Sequence, residues 1–497
     1  MSSTLAEESA LTGKGKLIVV SNAARLDAKT ARPDFAGNAA LITLGCAKNE
    51  VDSEVMLGAL TGRGFRVVTN PALADLIVVN TCAFLQSAVD ESLDAILSAA
   101  EFKRTGRCRK LIVAGCLVER YRGELRSELP EVDSFISTDD LLRVGEERES
   151  TESAFDNARR PYFLYDESMP RVLGSGGGAS AYLKIAEGCD RPCTFCIIPK
   201  IRGAFRSRSI ESIKSEVVSL LHSGVSEVNL VAQDLTAYGT DHGDSARLKS
   251  KLPELLREIV AAGRAISPFW VRLLYAYPIG VTEELIRLIQ ETPEICNYLD
   301  LPLQHISGPV LKRMQRPLGE RGTRALIEQI RSLAPEIALR TTFIVGFPGE
   351  TEYDVKRLEE FVRAGHFAHV GVFCYSQERE AVSFAFRDQV PEELKNERRN
   401  RIMVAQQQVV ERHLSSFVGE KIPVFIEGPH PESEHLLSAR AEWQAPETDG
   451  VVIINDLESN ADTPDDVARK SLSGQFGVVE VVECLGYDLV GRLTQSN

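Results

Sequence analysis

Cys189, Cys193 and Cys196 stand in Glu187-Gly-Cys-Asp-Arg-Pro-Cys-Thr-Phe-Cys196, a C-x-x-x-C-x-x-C spacing that forces one tight loop directly after a strand candidate. Three thiolates this close together can hold three irons of a cubane cluster and leave the fourth iron without a protein ligand. A chelating small molecule can then bind that iron and receive an electron from it. A structural zinc site is the alternative. Zinc normally takes four protein ligands, however, and the next candidate downstream is as far away as His222. Gly188 permits close backbone approach, and Phe195 is placed to shield a cluster from water.

The chain of 497 residues suggests about three domains at roughly 150 residues each. Apolar content of 43% and charged content of 26% are those of a soluble globular protein. No run approaches the roughly 18 apolar residues of a membrane span. The first residues carry Glu7 and Glu8 and lack the basic-then-apolar pattern of a secretion signal, so a cytoplasmic protein is expected. In a reducing compartment the ten cysteines point to metal binding or catalysis and away from a disulfide framework. Charge is uneven: residues 416–497 hold 15 Asp/Glu and 5 Lys/Arg, a net of −10 out of −14 for the whole chain. Such a tail repels a phosphate backbone and attracts a basic protein surface, or simply forms a solvated face.

The organisation expected is α/β throughout most of the chain. Residues 1–38 show no sustained periodicity beyond the apolar run Leu17–Val20, and form an extension of unknown structure. Residues 39–150 alternate strand candidates (Ala40–Leu44, Arg66–Thr69, Asp75–Asn80, Lys110–Ala114, Ser134–Ile136) with helices such as Glu50–Leu60, capped by Asn49, and Gln86–Ala100. That alternation predicts an open, parallel α/β sheet. Cys46, Cys82 and Cys116 each follow one of these strands, at the end where open α/β sheets bind ligands. Any one of them alone reads as an ordinary buried cysteine; three strand ends together can converge on one point. Residues 151–180 read as a flexible linker, with Pro161–Tyr165 able to pack on a neighbour. From 181 to 414 six strand–helix units predict a partial (β/α)6 barrel with its site at the C-terminal strand ends. A helix Pro391–Ser415 leads to a small β-barrel over 415–497, with strands Pro423–Ile426, Gly450–Ile454 and Gly477–Cys484. The other cysteines, Cys108, Cys296, Cys374 and Cys484, lack partner spacing.

The segment Ala181-Tyr-Leu-Lys-Ile-Ala-Glu-Gly-Cys-Asp-Arg-Pro-Cys-Thr-Phe-Cys-Ile-Ile-Pro-Lys-Ile-Arg-Gly203 resembles the cluster loop of radical S-adenosylmethionine enzymes, and more narrowly that of the methylthiotransferases. The contexts Leu44-Gly-Cys-Ala-Lys-Asn-Glu-Val-Asp-Ser53, Asn80-Thr-Cys-Ala-Phe84 and Ala114-Gly-Cys-Leu117 resemble the N-terminal domain of the same family. The tail resembles a TRAM domain. The resemblance covers roughly residues 39–497. It implies two 4Fe–4S clusters, one on Cys189, Cys193 and Cys196 that binds S-adenosylmethionine, and an auxiliary one on Cys46, Cys82 and Cys116 that carries the sulfur to be inserted. It also implies reductive cleavage of the sulfonium to a 5′-deoxyadenosyl radical that takes hydrogen from an unactivated carbon. Gln233 and Asp234 are expected to reach the ligand's amino acid or ribose, and Gly346 and Gly349 to flank its adenine or merely to form a tight turn. The run Lys200, Arg202, Arg206 and Arg208 is expected either to meet a carboxylate of ligand or target or to be a solvated face.

Ile198-Pro-Lys-Ile-Arg-Gly203, Leu230–Gly239, Tyr298-Leu-Asp-Leu-Pro-Leu-Gln-His305 and Gly486-Tyr-Asp-Leu-Val-Gly-Arg492 are similar to the RimO branch, which modifies an aspartate of small-subunit ribosomal protein S-twelve. The acidic tail suits that basic substrate. A flavodoxin or ferredoxin as electron donor is implied by the family; the sulfur donor is not. The other branch, which modifies a transfer RNA adenosine, and a non-enzymatic iron–sulfur or zinc scaffold binding nucleic acid are the alternatives.

Overall fold

The computed structural model describes residues 16–17, 36–146, 161–174, 179–242, 249–457 and 472–496. The N-terminal sheet contains β1 (Lys16–Leu17), β2 (Gly37–Thr43), β3 (Phe65–Val67), β4 (Leu76–Thr81), β5 (Lys110–Gly115) and β6 (Ser134–Ile136). β2, β4, β5 and β6 are consecutive parallel neighbours, β3 also pairs in parallel with β2, and β1 adds antiparallel to β2. The central strands read as unbroken apolar runs because helices cover both faces. Those helices include α1 (Ala47–Gly62), α2 (Gln86–Ala100) and α3 (Cys116–Tyr121). Asn49 does not cap α1, as the sequence suggested; the helix starts after Cys46, which makes no side-chain capping bond. Asn49 is turned inward instead, and its amide donates to the carbonyls of Leu44 and Thr81 at 3.0 Å.

The segment read as a flexible linker is held firmly over residues 161–174. Arg171 pairs with Glu54 of α1 at 2.6 Å and with Glu216 at 2.5 Å, and the Val172 amide donates to the Glu54 carbonyl at 3.0 Å. Tyr165 is buried against Val51 and Val55. Composition marks a linker but is blind to the two carboxylates that anchor it.

β7 (Ser180–Lys184) leads into the short antiparallel pair β8 (Ala186–Glu187) and β9 (Arg206–Ser207), and the triple-cysteine loop lies between these two. β7 pairs in parallel with β10 (Glu227–Val231), and β10 with β11 (Trp270–Leu273). β12 (Tyr298–Asp300), β13 (Ala338–Val345) and β14 (His369–Cys374) form a second parallel sheet. The Val271 amide donates to the Glu294 carbonyl at 2.7 Å and the Cys296 amide to the Val271 carbonyl at 2.9 Å, which joins the two sheets into a half-barrel. Helices α4 (Ile210–His222), α5 (Leu252–Gly263), α6 (Glu283–Glu291), α7 (Gly319–Leu333), α8 (Glu352–Arg363) and α9 (Glu392–Ser415) follow, the first five lying between successive strands. Among the described residues no helix is long and apolar enough to cross a membrane.

The tail is a closed barrel of β15 (Lys421–His430), β16 (Ser433–Ala441), β17 (Val452–Leu457), β18 (Phe476–Leu485) and β19 (Asp488–Ser496). The sequence reading missed β16 and β19. Both mix polar and apolar residues, and pairing with two neighbours inside a closed barrel stabilises them where local propensity does not. This barrel plugs the N-terminal end of the half-barrel, opposite the cysteine loop. Trp270, first residue of β11, meets Phe476 with ring centroids 5.0 Å apart, and Tyr298, first of β12, donates to Asp449 at 2.7 Å.

Glu227, first of β10, is fully buried between Arg272 of β11, 2.9 Å away, and Arg440 of β16, 2.5 Å away. Burial alone would push the Glu227 carboxyl up; Arg440 and Arg272 overcome it and hold the group well below the usual carboxylate range. A native-state carboxyl held down contributes stability that is present above the unfolded value of about 4.3 and is lost as pH falls below it. Glu227→Gln leaves two buried guanidinium groups without their carboxylate and is expected to cost about 3–5 kcal/mol near neutral pH. Denaturant titration of the full chain checks this, and the gap to the native chain should shrink as the pH is lowered.

Candidate active site

Three neighbouring strands of the N-terminal sheet deliver three thiols to one edge. Cys46 follows β2 by three residues, Cys82 follows β4 directly, and Cys116 follows β5 directly. Gly45, at φ +90°, lies so close to Cys82 that a Cβ on it would sit 2.9 Å from the Cys82 sulfur. Asn49 ties the third corner: its backbone N–H donates to the Cys46 carbonyl at 2.8 Å, and its side-chain oxygen lies 3.8 Å from the Cys116 sulfur. Burial pushes the Cys116 thiol up to about 12, with the neighbouring Cys82 and Cys46 adding to the rise against Arg202. Cys46 goes the other way. Burial opposes ionisation there, but Lys48 and Arg202 together with backbone amides lower its pKa.

The second triplet lies at the mouth of the half-barrel. Gly188 has φ +81°, and a Cβ there would stand 2.1 Å from the Ala204 carbonyl oxygen, so this position needs glycine. The Cys189 amide donates to the Gly203 carbonyl at 3.1 Å and closes the loop. Thr194 fixes its far side: its amide donates to Met314 at 3.2 Å and its hydroxyl to Arg313 at 2.9 Å. Phe195 packs with Val310, Met314, Phe347 and Tyr375. Burial raises the Cys189 thiol to about 11 and that of Cys196 to about 12. Arg316 approaches the Cys193 sulfur at 3.7 Å. Its guanidinium and that of Arg191 lie 4.2 and 4.3 Å from the Tyr277 ring centre. Beside the loop two buried polar atoms have no hydrogen-bond partner, the Tyr277 hydroxyl and the Gln233 side-chain oxygen.

Among the described residues no three Cys, His, Asp or Glu side chains are arranged to hold one metal ion. The thiols of a cubane each bind a different iron, and so stand further apart than the ligands of a single ion. Two all-thiol triplets, each short of a fourth ligand and fringed by cationic side chains, the second also by orphaned polar atoms, fit such clusters in donor chemistry.

The other sequence-derived candidates divide. Asp234 is buried, accepts from Arg191 at 2.6 Å and caps the following turn through the Ala237 amide at 3.2 Å. With Cys189 and Arg191 it lines a cavity of about 420 Å³. Gln233 donates to Glu187. Gly346 and Gly349, at φ +74° and +79°, have local reasons for being glycine: added Cβ atoms would meet Lys395 at 2.3 Å and Arg313 at 2.7 Å. Of the basic run, only Lys200 lies on an exposed face; Arg202, Arg206 and Arg208 are turned inward. Arg208 is buried on Glu216 at 2.6 Å, and Arg206 donates to the Phe163 carbonyl at 2.6 Å. Arg202 is buried on the other side of the loop, where its guanidinium reaches Asp52 at 2.7 Å and the Cys116 sulfur at 3.3 Å. Lys200 is bonded to the Glu380 carbonyl at 2.8 Å. Sequence reading also passed over Tyr277 and Arg316, which lie far along the chain from the cysteines they flank.

Residues 38–137 match the uncharacterized protein family UPF0004, residues 183–362 the radical SAM superfamily, and residues 418–494 the TRAM domain. A curated relative from Syntrophotalea carbinolica, ribosomal protein uS12 methylthiotransferase RimO, is 44% identical over 92% of this chain and 97% of its own. Its namesake from Citrifermentans bemidjiense is 45% identical over 91% of this chain and 97% of its own. Among solved structures, the radical S-adenosylmethionine methyltransferase TsrM from Kitasatospora setae superposes with TM-score 0.49 at 15% identity, over 69% of this chain and 73% of that one. Fold and site together define a radical S-adenosylmethionine enzyme, a class that works with a 4Fe–4S cluster and S-adenosylmethionine. Within it, the chain belongs to the RimO family of ribosomal protein methylthiotransferases.

Proposed function

We propose that this protein adds a methylthio group to the β-carbon of an aspartate in ribosomal protein uS12. The observation that carries the reading is the extent of the match: relatives named as uS12 methylthiotransferases align over all three domains, both cysteine triplets included in the span, at 44–45% identity. In this reading Cys189, Cys193 and Cys196 hold the cluster that binds S-adenosylmethionine, and Cys46, Cys82 and Cys116 hold an auxiliary 4Fe–4S cluster. When bound, these groups supply reductive cleavage of the sulfonium and the sulfur to be transferred. The chain's own part is placement. Arg316 sets a fixed positive charge beside Cys193, and Arg191, paired with Asp234, borders the cavity where S-adenosylmethionine is proposed to lie. Gln233 and Asp234 are the proposed contacts of its amino acid or ribose, and Gly346 and Gly349 the proposed flank of its adenine. A flavodoxin or ferredoxin is the proposed electron donor.

Electrostatics support a basic protein as substrate over RNA. The tail is net −10, and of its few cationic side chains Arg440 is buried under the barrel on Glu227, so the surface it presents is poor in charge for a phosphate backbone. The test is competition: reconstituted enzyme, reductant and S-adenosylmethionine are given uS12 and bulk transfer RNA together. Mass spectrometry is expected to find the methylthio group on an aspartate peptide of uS12. Its appearance on an adenosine, with uS12 unmodified, would reverse the assignment.

A further inference from the structure

One short segment carries both the ligands of the loop and a side chain that leaves it. Cys189 to Cys196 turn toward the half-barrel, and six residues after Cys196 the chain sends Arg202 the other way, into the N-terminal domain. There Arg202 is 3% exposed. One of its terminal nitrogens donates to Asp52 at 2.7 Å and lies 3.4 Å from Glu187; the other donates to the Asn49 side chain and to the Cys116 sulfur at 3.3 Å. Lys184 of β7 bonds the same two carboxylates, at 2.6 Å for Glu187. A guanidinium cannot shed its proton in a protein and presents its donors in a rigid fork, so this is a permanent positive charge aimed at a sulfur. Hydrogen bonds to ligand sulfur and net charge nearby are what set the reduction potential of an iron–sulfur cluster.

We infer that Arg202 is a positioning residue of the auxiliary sulfur site, a cationic donor to the Cys116 sulfur supplied across the domain boundary, and that it raises the reduction potential of the cluster held there. The inference rests on the two-cluster reading above. It makes the auxiliary site incomplete without the radical S-adenosylmethionine domain, because the N-terminal domain brings the three thiols but not this charge.

The experiment uses the full chain with Cys189, Cys193 and Cys196 replaced by alanine, reconstituted anaerobically with iron and sulfide. Potentiometric titration followed by electron paramagnetic resonance reads the one-electron midpoint of the remaining cluster. Arg202→Gln is expected to keep the iron and to shift the one-electron equilibrium at least tenfold toward the oxidised form, about 59 mV. Arg202→Lys keeps the charge and should stay within that margin. An unchanged midpoint in Arg202→Gln at full iron content overturns the assignment. A second measurement leaves Arg202 in place: in protein grown on arginine carrying the heavy nitrogen isotope, the reduced cluster should show hyperfine coupling to that nitrogen, and absence of coupling overturns the assignment equally. If the alanine-substituted chain binds no iron, the two-cluster reading itself fails and the inference goes with it.

Discussion

Cys193→Ala is expected to abolish formation of 5′-deoxyadenosine from S-adenosylmethionine, by at least about a hundredfold, while leaving the fold intact. Loss of a residue that merely supports a ligand already costs roughly 10–100-fold in affinity or activity, and loss of a ligand costs more. The fold should survive because the loop does not depend on this thiol for its shape. Gly188 lies against Ala204, the Cys189 amide reaches Gly203, and Thr194 is bonded to Arg313 and Met314 on the far side. Cys193 itself is only partly buried, so little packing is lost. Chromatography of the reduced reaction mixture measures the product, and a circular-dichroism melt measures the fold. Product formation at the native rate would remove Cys193 from the site.

The second large effect separates the two triplets. Cys116→Ala is expected to eliminate methylthiolation of uS12 while 5′-deoxyadenosine continues to form. Cys116 opens α3 in the N-terminal domain, the Cys189 loop takes its backbone bonds from the half-barrel, and Arg202, which links the two, keeps Asp52 and Asn49 when the Cys116 sulfur is removed, so damage to one triplet should leave the other standing. The substitution removes a single buried sulfur and should cost only about 1 kcal/mol of packing. Mass spectrometry of the uS12 peptide and chromatography of the same mixture give both readouts at once. Loss of both products together would mean that the triplets are not independent; methylthiolation at the native rate would mean that Cys116 does not serve the sulfur site.

Much of this was legible before any coordinates, for identifiable reasons. Strands such as Leu76–Thr81 and Lys110–Gly115 are covered on both faces and therefore read as unbroken apolar runs. The cysteine that follows each inherits its position from the strand. A loop of three cysteines within eight residues is local by construction, and so is visible in sequence. What sequence hid was long-range. Arg202 finds Cys116 across 86 residues and Asn49 across 153, and nothing near Arg202 in the chain announces either partner. The strap at Arg171 and the lock of Glu227 between Arg272 and Arg440 were missed for the same reason. At Gly346 and Gly349 the close approach of Lys395 and Arg313 gives a packing reason for glycine beside the ligand role proposed for the same turn.

Two incompletely ligated iron–sulfur clusters in one chain are the central proposal, and metal stoichiometry tests it most directly. Anaerobic reconstitution followed by iron and acid-labile sulfide analysis should give about eight of each per chain, falling to about four when either triplet is replaced by alanine. A native chain that takes up only about four irons, or only zinc, would contradict it.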